Sequence, residues 1–431
     1  MERGLDRVGM NLTHTINGFL YFGYVPDVVR QGWDFPFDST LIKEGRRVYG
    51  HLDYQSAVRT GAELLMSLVD PQQIKNQRNV LLLSGGLDSR FLLGVMRKHN
   101  LLNALECVTF GEPGMLDVDI ASQTADVTGV RFELLDTRNQ NFDLPSFNRE
   151  TAKDRVWVPL ARGGRRQINE KYGSEAVYWD GYFNGHLTTK NESYASITDD
   201  RVAWKAFKLK NRTCGGRLAS DTFDPDVFMP DSLAISRELL APAEQYHIGL
   251  RQHYYVSRAN LRAGWQWETP YTELAWVKFM LGVPAEYRSG QKLFRDIGRH
   301  LFPDLMEVPV KRSYGLPMNA PKWRKKLASR RLKMRKGWRS MMGLGNGPAP
   351  SAQEMDWDNG IREIDTLKQF LQTLLFNLDE RGVAPWLSGM ELLDAHLKGK
   401  KNLSKELMLL ASLEVSLQRN QHDPETGAIL C

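Results

Sequence analysis

Three short apolar runs, NVLLL at 79–83, LECVTF at 105–110 and VRFELL at 130–135, recur at even separation. Between them lie the amphipathic stretches SRFLLGVMRKHN and MLDVDIASQTADVTG. Strand patterns alternating with helical ones predict a βαβαβ unit, hence an α/β protein with a doubly wound parallel sheet. Such a sheet restricts where chemistry can sit, because its ligands bind outside the carboxyl ends of the strands. The run EAVYWDGYFNG, 175–185, reads as a further strand ending in a loop at that same edge.

The first strand runs directly into SGGLDS, residues 84–89. Ser84 would end the buried strand, Gly85 and Gly86 allow close backbone approach, and Ser89 opens a helix. Amide groups converging at a helix N-terminus favour an anion such as phosphate. No Gly-Lys-Ser/Thr follows, and the spacing is not G-x-G-x-x-G, so the kinase and dinucleotide readings lose their basis. Asp88 would repel a phosphate directly, but becomes useful with Mg²⁺ between them. A plain strand-to-helix turn capped by Asp88 is the structural alternative.

The rest of the chain sets bounds. Its 431 residues allow one large α/β unit with additions, and 42% hydrophobic with 25% charged residues describes an ordinary globular protein. Residues 1–54, rich in Gly, Pro and aromatics, are expected to be irregular and packed on a main domain spanning 55–341. After about residue 190 the pattern is largely helical. Residues 342–354, MGLGNGPAPSAQE, read as a loop, and 355–431 as helices completing the domain. The start lacks the blocks of a signal peptide and no apolar run approaches spanning length, so a cytoplasmic location is expected. Three widely spaced cysteines indicate neither a disulfide framework nor a zinc site. Of 57 Lys and Arg, ten fall within 322–339, which has no acid, leaving 47 against 51 acidic residues elsewhere. Trp323, Leu327, Met334 and Trp338 share one face there. Either the stripe packs on the domain, or the helix meets an anionic membrane, RNA or phosphorylated carrier.

SGGLDS resembles the pyrophosphate-binding loop of the N-type ATP pyrophosphatases, of the adenine nucleotide α-hydrolase-like fold. Its surroundings resemble the synthetase domain of the asparagine synthetase family. FGYVPD, VTFGEPGMLDVDIASQTADVTGV, GQKLFRDIGRHLFPDL, VPVKRSYGLPM and LLDAHLKGKKNLSKELMLLASLEV extend the likeness over most of the chain. The resemblance implies adenylation of a substrate carboxylate by MgATP, release of pyrophosphate, and amide formation with a nitrogen nucleophile. It implies that Ser84, Gly85, Gly86, Leu87, Asp88, Ser89 and Gly181 hold the phosphates, that Thr109, Phe110 and Gly111 meet adenine, and that Asp88 and Asp180 bind magnesium. Lys292 and Lys311 would neutralise charge developing on phosphate, or else be solvated surface lysines.

The departures matter as much. Glu2 stands where glutamine-using members have cysteine, and too few residues precede the loop for a glutaminase domain, so free ammonia, ammonia from a separate glutaminase, or an amine is expected. The usual Ser-Gly-Glu-Gly-x-Asp-Glu loop is WDGYFNGHL, which loses its paired acids and leaves Asp180, Tyr182 and His186. Tyr182 falls at the family's catalytic glutamate, as in the β-lactam synthetase branch. A tyrosine needs a partner acid to act as a base, and Glu268, in AGWQWETPYTE, is the expected partner. A tyrosine packed in a loop is the alternative, and His186 is as readily structural as basic. The expected activity is amide synthesis in a specialised pathway. A catalytically silent binding protein and an RNA-modifying pyrophosphatase are the rivals.

Overall fold

The computed structural model describes residues 12–26, 35–75, 77–144, 163–188, 194–257, 261, 265–341 and 355–422. The expected loop 342–354 lies outside them. Five strands form one parallel sheet: β1 (Asn79–Leu82), β2 (Leu105–Gly111), β3 (Arg131–Asp136), β4 (Val177–Trp179) and β5 (Gln266–Glu268), in the order β3-β2-β1-β4-β5. β1 pairs with β2 on one side and β4 on the other, so the chain reverses direction across the sheet at β1. The crevice for a ligand is therefore at the carboxyl ends of β1 and β4.

The central strands β1 and β4 are buried throughout and largely apolar because both faces of the sheet are covered there, whereas the edge strands β3 and β5 are only partly covered and carry polar residues. Leu81 and Leu83 join the core formed with the helices Tyr54–Ser67, Asp88–Lys98 and Lys292–Leu301. Val80 and Leu82 join a second cluster with Ile168 and Tyr172 of the helix Gly163–Tyr172. A third core is helical. Leu12–Phe22 buries Ile16, Phe19 and Phe22 against Asp365–Arg381 and Ser404–His422.

The N-terminal segment departs from expectation. Within 1–54 the described residues form two helices, Leu12–Phe22 and Ser39–Tyr49, in place of irregular structure. The Asp38 side chain accepts from the amide of Leu41 and starts the second. That helix crosses Leu274–Gly282 so closely that a Cβ on Gly45 would lie 2.4 Å from the carbonyl oxygen of Lys278. The glycine serves helix packing here, where composition alone pointed to a loop.

Arg90, on the helix after the SGGLDS loop, is wholly buried. Its guanidinium donates to the carbonyls of Leu305 at 3.0 Å, Val308 at 2.8 Å and Pro309 at 2.5 Å. Burial lowers its pKa to about 10. Replacing it with Met would leave those acceptors unpaired, each at about 1–3 kcal/mol. Arg90→Met is expected to lower unfolding free energy by about 3 kcal/mol or more in urea titration, and to raise hydrogen exchange over 305–313.

Candidate active site

Ser84 to Ser89 leave β1 at the crevice. The Ser84 amide donates to the Ser89 hydroxyl at 3.1 Å, the two hydroxyls lie 3.2 Å apart, and the Gly86 amide donates to the Ser84 hydroxyl at 3.3 Å. Leu87 is buried in the core and pins the turn. The helix then opens at Asp88. At the end of β2, the Thr109 hydroxyl donates to the Leu83 carbonyl, Phe110 packs over Gly164, and Gly111 takes a φ of 151°. The chain segment resembling the adenine contact thus stands directly beside the loop.

Lys311 is joined to this loop twice. Its amide donates to the Gly85 carbonyl at 3.0 Å, and its ammonium to Asp117 Oδ2 at 2.8 Å. Asp117 Oδ1 in turn accepts from the Gly85 amide at 2.6 Å. A carboxylate therefore occupies an anion position made by a loop amide and a lysine, chemistry that a phosphate oxygen shares. Asp117 was not singled out in the sequence, although it sits in the quoted LDVDIAS stretch.

The loop after β4 closes the other side. A Cβ on Gly181 would lie 2.9 Å from both the Asp88 Cβ and the Ser89 amide nitrogen, so only glycine admits this approach. Phe183 follows with a φ of 77° and ψ of −35°, a strained backbone for a residue with a side chain. Asn184 is fully buried and links two groups. Its Oδ1 accepts from the Trp276 indole at 3.0 Å, and its Nδ2 donates to Asp88 Oδ1 at 2.6 Å. An indole N–H only donates, so it fixes which way the amide points and turns the amino group to Asp88. The Asp88 carbonyl accepts from the Tyr271 hydroxyl at 2.8 Å.

Several expected residues have other partners. The Asp180 carboxylate pairs with Arg165 at 2.5 Å, both side chains mostly buried, which directs it to a cation already in the protein. Asp88 is thus the carboxylate that fits magnesium at this loop, where the metal characteristically takes one or two carboxylates plus phosphate oxygens. Among the described residues no cluster of three or more His, Cys, Asp or Glu could hold a metal alone. The Lys292 ammonium lies 4.2 Å from the centroid of the Tyr54 ring, on the exposed side of its helix, and no contact joins it to Ser84–Ser89 among the described residues.

Tyr182 and Glu268 do not form the expected pair. The buried Tyr182 hydroxyl donates to the Gln252 carbonyl at 2.7 Å, and burial raises its pKa far above the usual phenol range. Gln252 belongs to the π-helix His247–Val256, whose widened turns are of a kind frequent at functional sites. Glu268 ends β5, and its carbonyl accepts from the Asp180 amide at 3.0 Å. Burial, then the nearby Glu273, raises its carboxyl pKa. His186 packs on His247 with ring centroids 4.4 Å apart. Comparison with known protein families and with curated proteins finds no match to this chain.

The Asn184–Asp88 contact gives a signed prediction. Asn184→Asp would set two carboxylates at that contact, raising the folded-state pKa of one above its unfolded value. The variant should be less stable than the parent by about 2 kcal/mol or more near pH 7, and the deficit should vanish as pH falls below about 4. Thermal melts across pH check this. A deficit that is constant with pH would refute the contact's polarity.

Proposed function

We propose that this protein is an asparagine synthetase-like ligase that adenylates a carboxylate with ATP, releases pyrophosphate and makes an amide. The observation that carries the reading is the Ser-Gly-Gly-Leu-Asp-Ser loop at the reversal point of a parallel sheet, with Lys311 bonded to it through Gly85.

On this reading ATP is a substrate. Loop amides and the hydroxyls of Ser84 and Ser89 bind its outer phosphates, replacing Asp117 as the acceptor of the Gly85 amide. Asp88 would hold magnesium, which would supply charge neutralisation for the bound phosphates. A carboxylate oxygen attacks the α-phosphorus, the α–β bridge breaks, and pyrophosphate leaves. Lys311, released from Asp117, stabilises the departing charge. An amine nitrogen, from ammonia, a separate glutaminase or a second small molecule, then attacks the acyl carbon and expels AMP.

The proton from that nitrogen goes to Glu268. Its pKa is moved towards working pH by burial, which suits a general base. Tyr182 holds the β4 loop on the π-helix through Gln252 and acts by positioning.

Turnover should yield AMP and pyrophosphate, never ADP. Asp88→Asn, which retains an oxygen facing Asn184, should abolish it with the fold intact. ADP production, or full activity in that variant, would refute the assignment.

The two steps separate the two candidate bases. Glu268→Gln should keep substrate-dependent pyrophosphate exchange and slow amide formation by about 10²-fold or more. Tyr182→Phe should leave the base in place. In the parent, amide formation should rise with pH through a limb above the ordinary carboxylate range, because the base acts only when ionised. That limb should be missing in Glu268→Gln. An unchanged profile, or loss of amide formation in Tyr182→Phe alone, would return the role to the tyrosine.

A further inference from the structure

In the helix Lys322–Met341 the described apolar side chains Trp323, Leu327 and Met334 face away from the body. Trp323 is 68% exposed, Leu327 41% and Met334 63%. At about 100° per residue these three lie within roughly 40° of one another. The partly covered positions Lys325, Ala328 and Ser329 lie on the opposite side, where the Lys325 ammonium donates to the Met318 carbonyl at 2.6 Å. A surface helix ordinarily turns its apolar stripe to the core. This one turns Trp323, Leu327 and Met334 to water, and of the two alternatives the described part of the stripe does not pack on the domain; the side chain of Trp338 lies outside the described residues.

Charge defines what covers the stripe. Arg324 and Arg331 flank it on one side, Lys326 and Arg330 on the other, all exposed, and residues 322–339 contain no acid. We propose that this helix docks the protein on an anionic phospholipid surface, lying in the plane of the bilayer. Trp323, Leu327 and Met334 would enter the headgroup boundary, and the flanking Lys and Arg would reach lipid phosphates and carboxylates. Nucleic acid would satisfy the charges but needs no outward stripe of Trp, Leu and Met. The inference concerns a face distinct from the SGGLDS loop and stands without the nucleotide reading. Among the described residues no helix is long and apolar enough to cross a membrane, so the attachment is peripheral and reversible.

Flotation of the full chain tests this. It should rise with vesicles of phosphatidylcholine and phosphatidylserine at low salt, stay behind with phosphatidylcholine alone, and detach as salt increases. Lys326→Gln, Arg330→Gln and Arg331→Gln together should weaken the association about 100-fold. Trp323→Ser with Met334→Ser, at unchanged net charge, should weaken it about tenfold or more. These side chains are exposed, and unaltered melting curves would show that the variants fold. Failure of the parent to float with phosphatidylserine vesicles would overturn the proposal. So would undiminished flotation of the Trp323/Met334 variant, or a polynucleotide that strips the parent from vesicles and binds that variant as tightly.

Discussion

A fully buried guanidinium organises this molecule. Arg90 stands one helical residue beyond the SGGLDS loop and takes the carbonyls of Leu305, Val308 and Pro309. A charge removed from solvent is costly unless dipoles surround it, and those carbonyls turn inward to do so. The segment they belong to then delivers Lys311 to Gly85. Two regions more than two hundred positions apart, |i−j| = 215 at Leu305, thus become a single wall. Mutating the lysine would alter one charge, whereas losing Arg90 would release the whole strip of chain that presents it.

Across the crevice the polarity is set by donors. Asn184 is oriented by an indole that can only donate, so Asp88 meets the amino group of an amide. Asp180 is matched to Arg165, and Asp117 to Lys311. Two of the carboxylates beside the loop are thus neutralised by cations of the protein, while Asp88 meets a neutral amide. A polyanion entering such a crevice meets exchangeable partners, not a fixed repulsive field.

Periodicity made the sheet readable, because β1 and most of β2 are buried on both faces and so read as continuous apolar runs, while the edge strand β3 keeps enough apolar residues to follow them at even spacing. The SGGLDS loop followed from its place after the first of them. What stayed hidden depends on contacts far apart in sequence. Gly45 reads as a breaker until Gly282 lies against it. Tyr182 reads as a possible base until its hydroxyl is found on Gln252, 70 positions away, in a π-helix that no simple spacing marks. Lys292 shares a motif with reactive lysines elsewhere, yet an aromatic face from Tyr54 claims it. In the basic helix the amphipathic stripe was legible, but the direction it faces was not, since a helical wheel gives relative angles and no reference to the body.

The third core has an implication for biosynthesis. Phe19 and Phe22, near the start of the described chain, are buried with Leu407, Leu410 and Leu417 near its end. A ribosome adding about 5–20 residues per second needs roughly 20–80 s to make the partners of that first helix. Over that interval the helix meets only part of its cover, Trp204, Phe207 and Phe228 from the middle of the chain, and the side facing the last helix waits. The last helix is therefore the latch that completes the burial of the first.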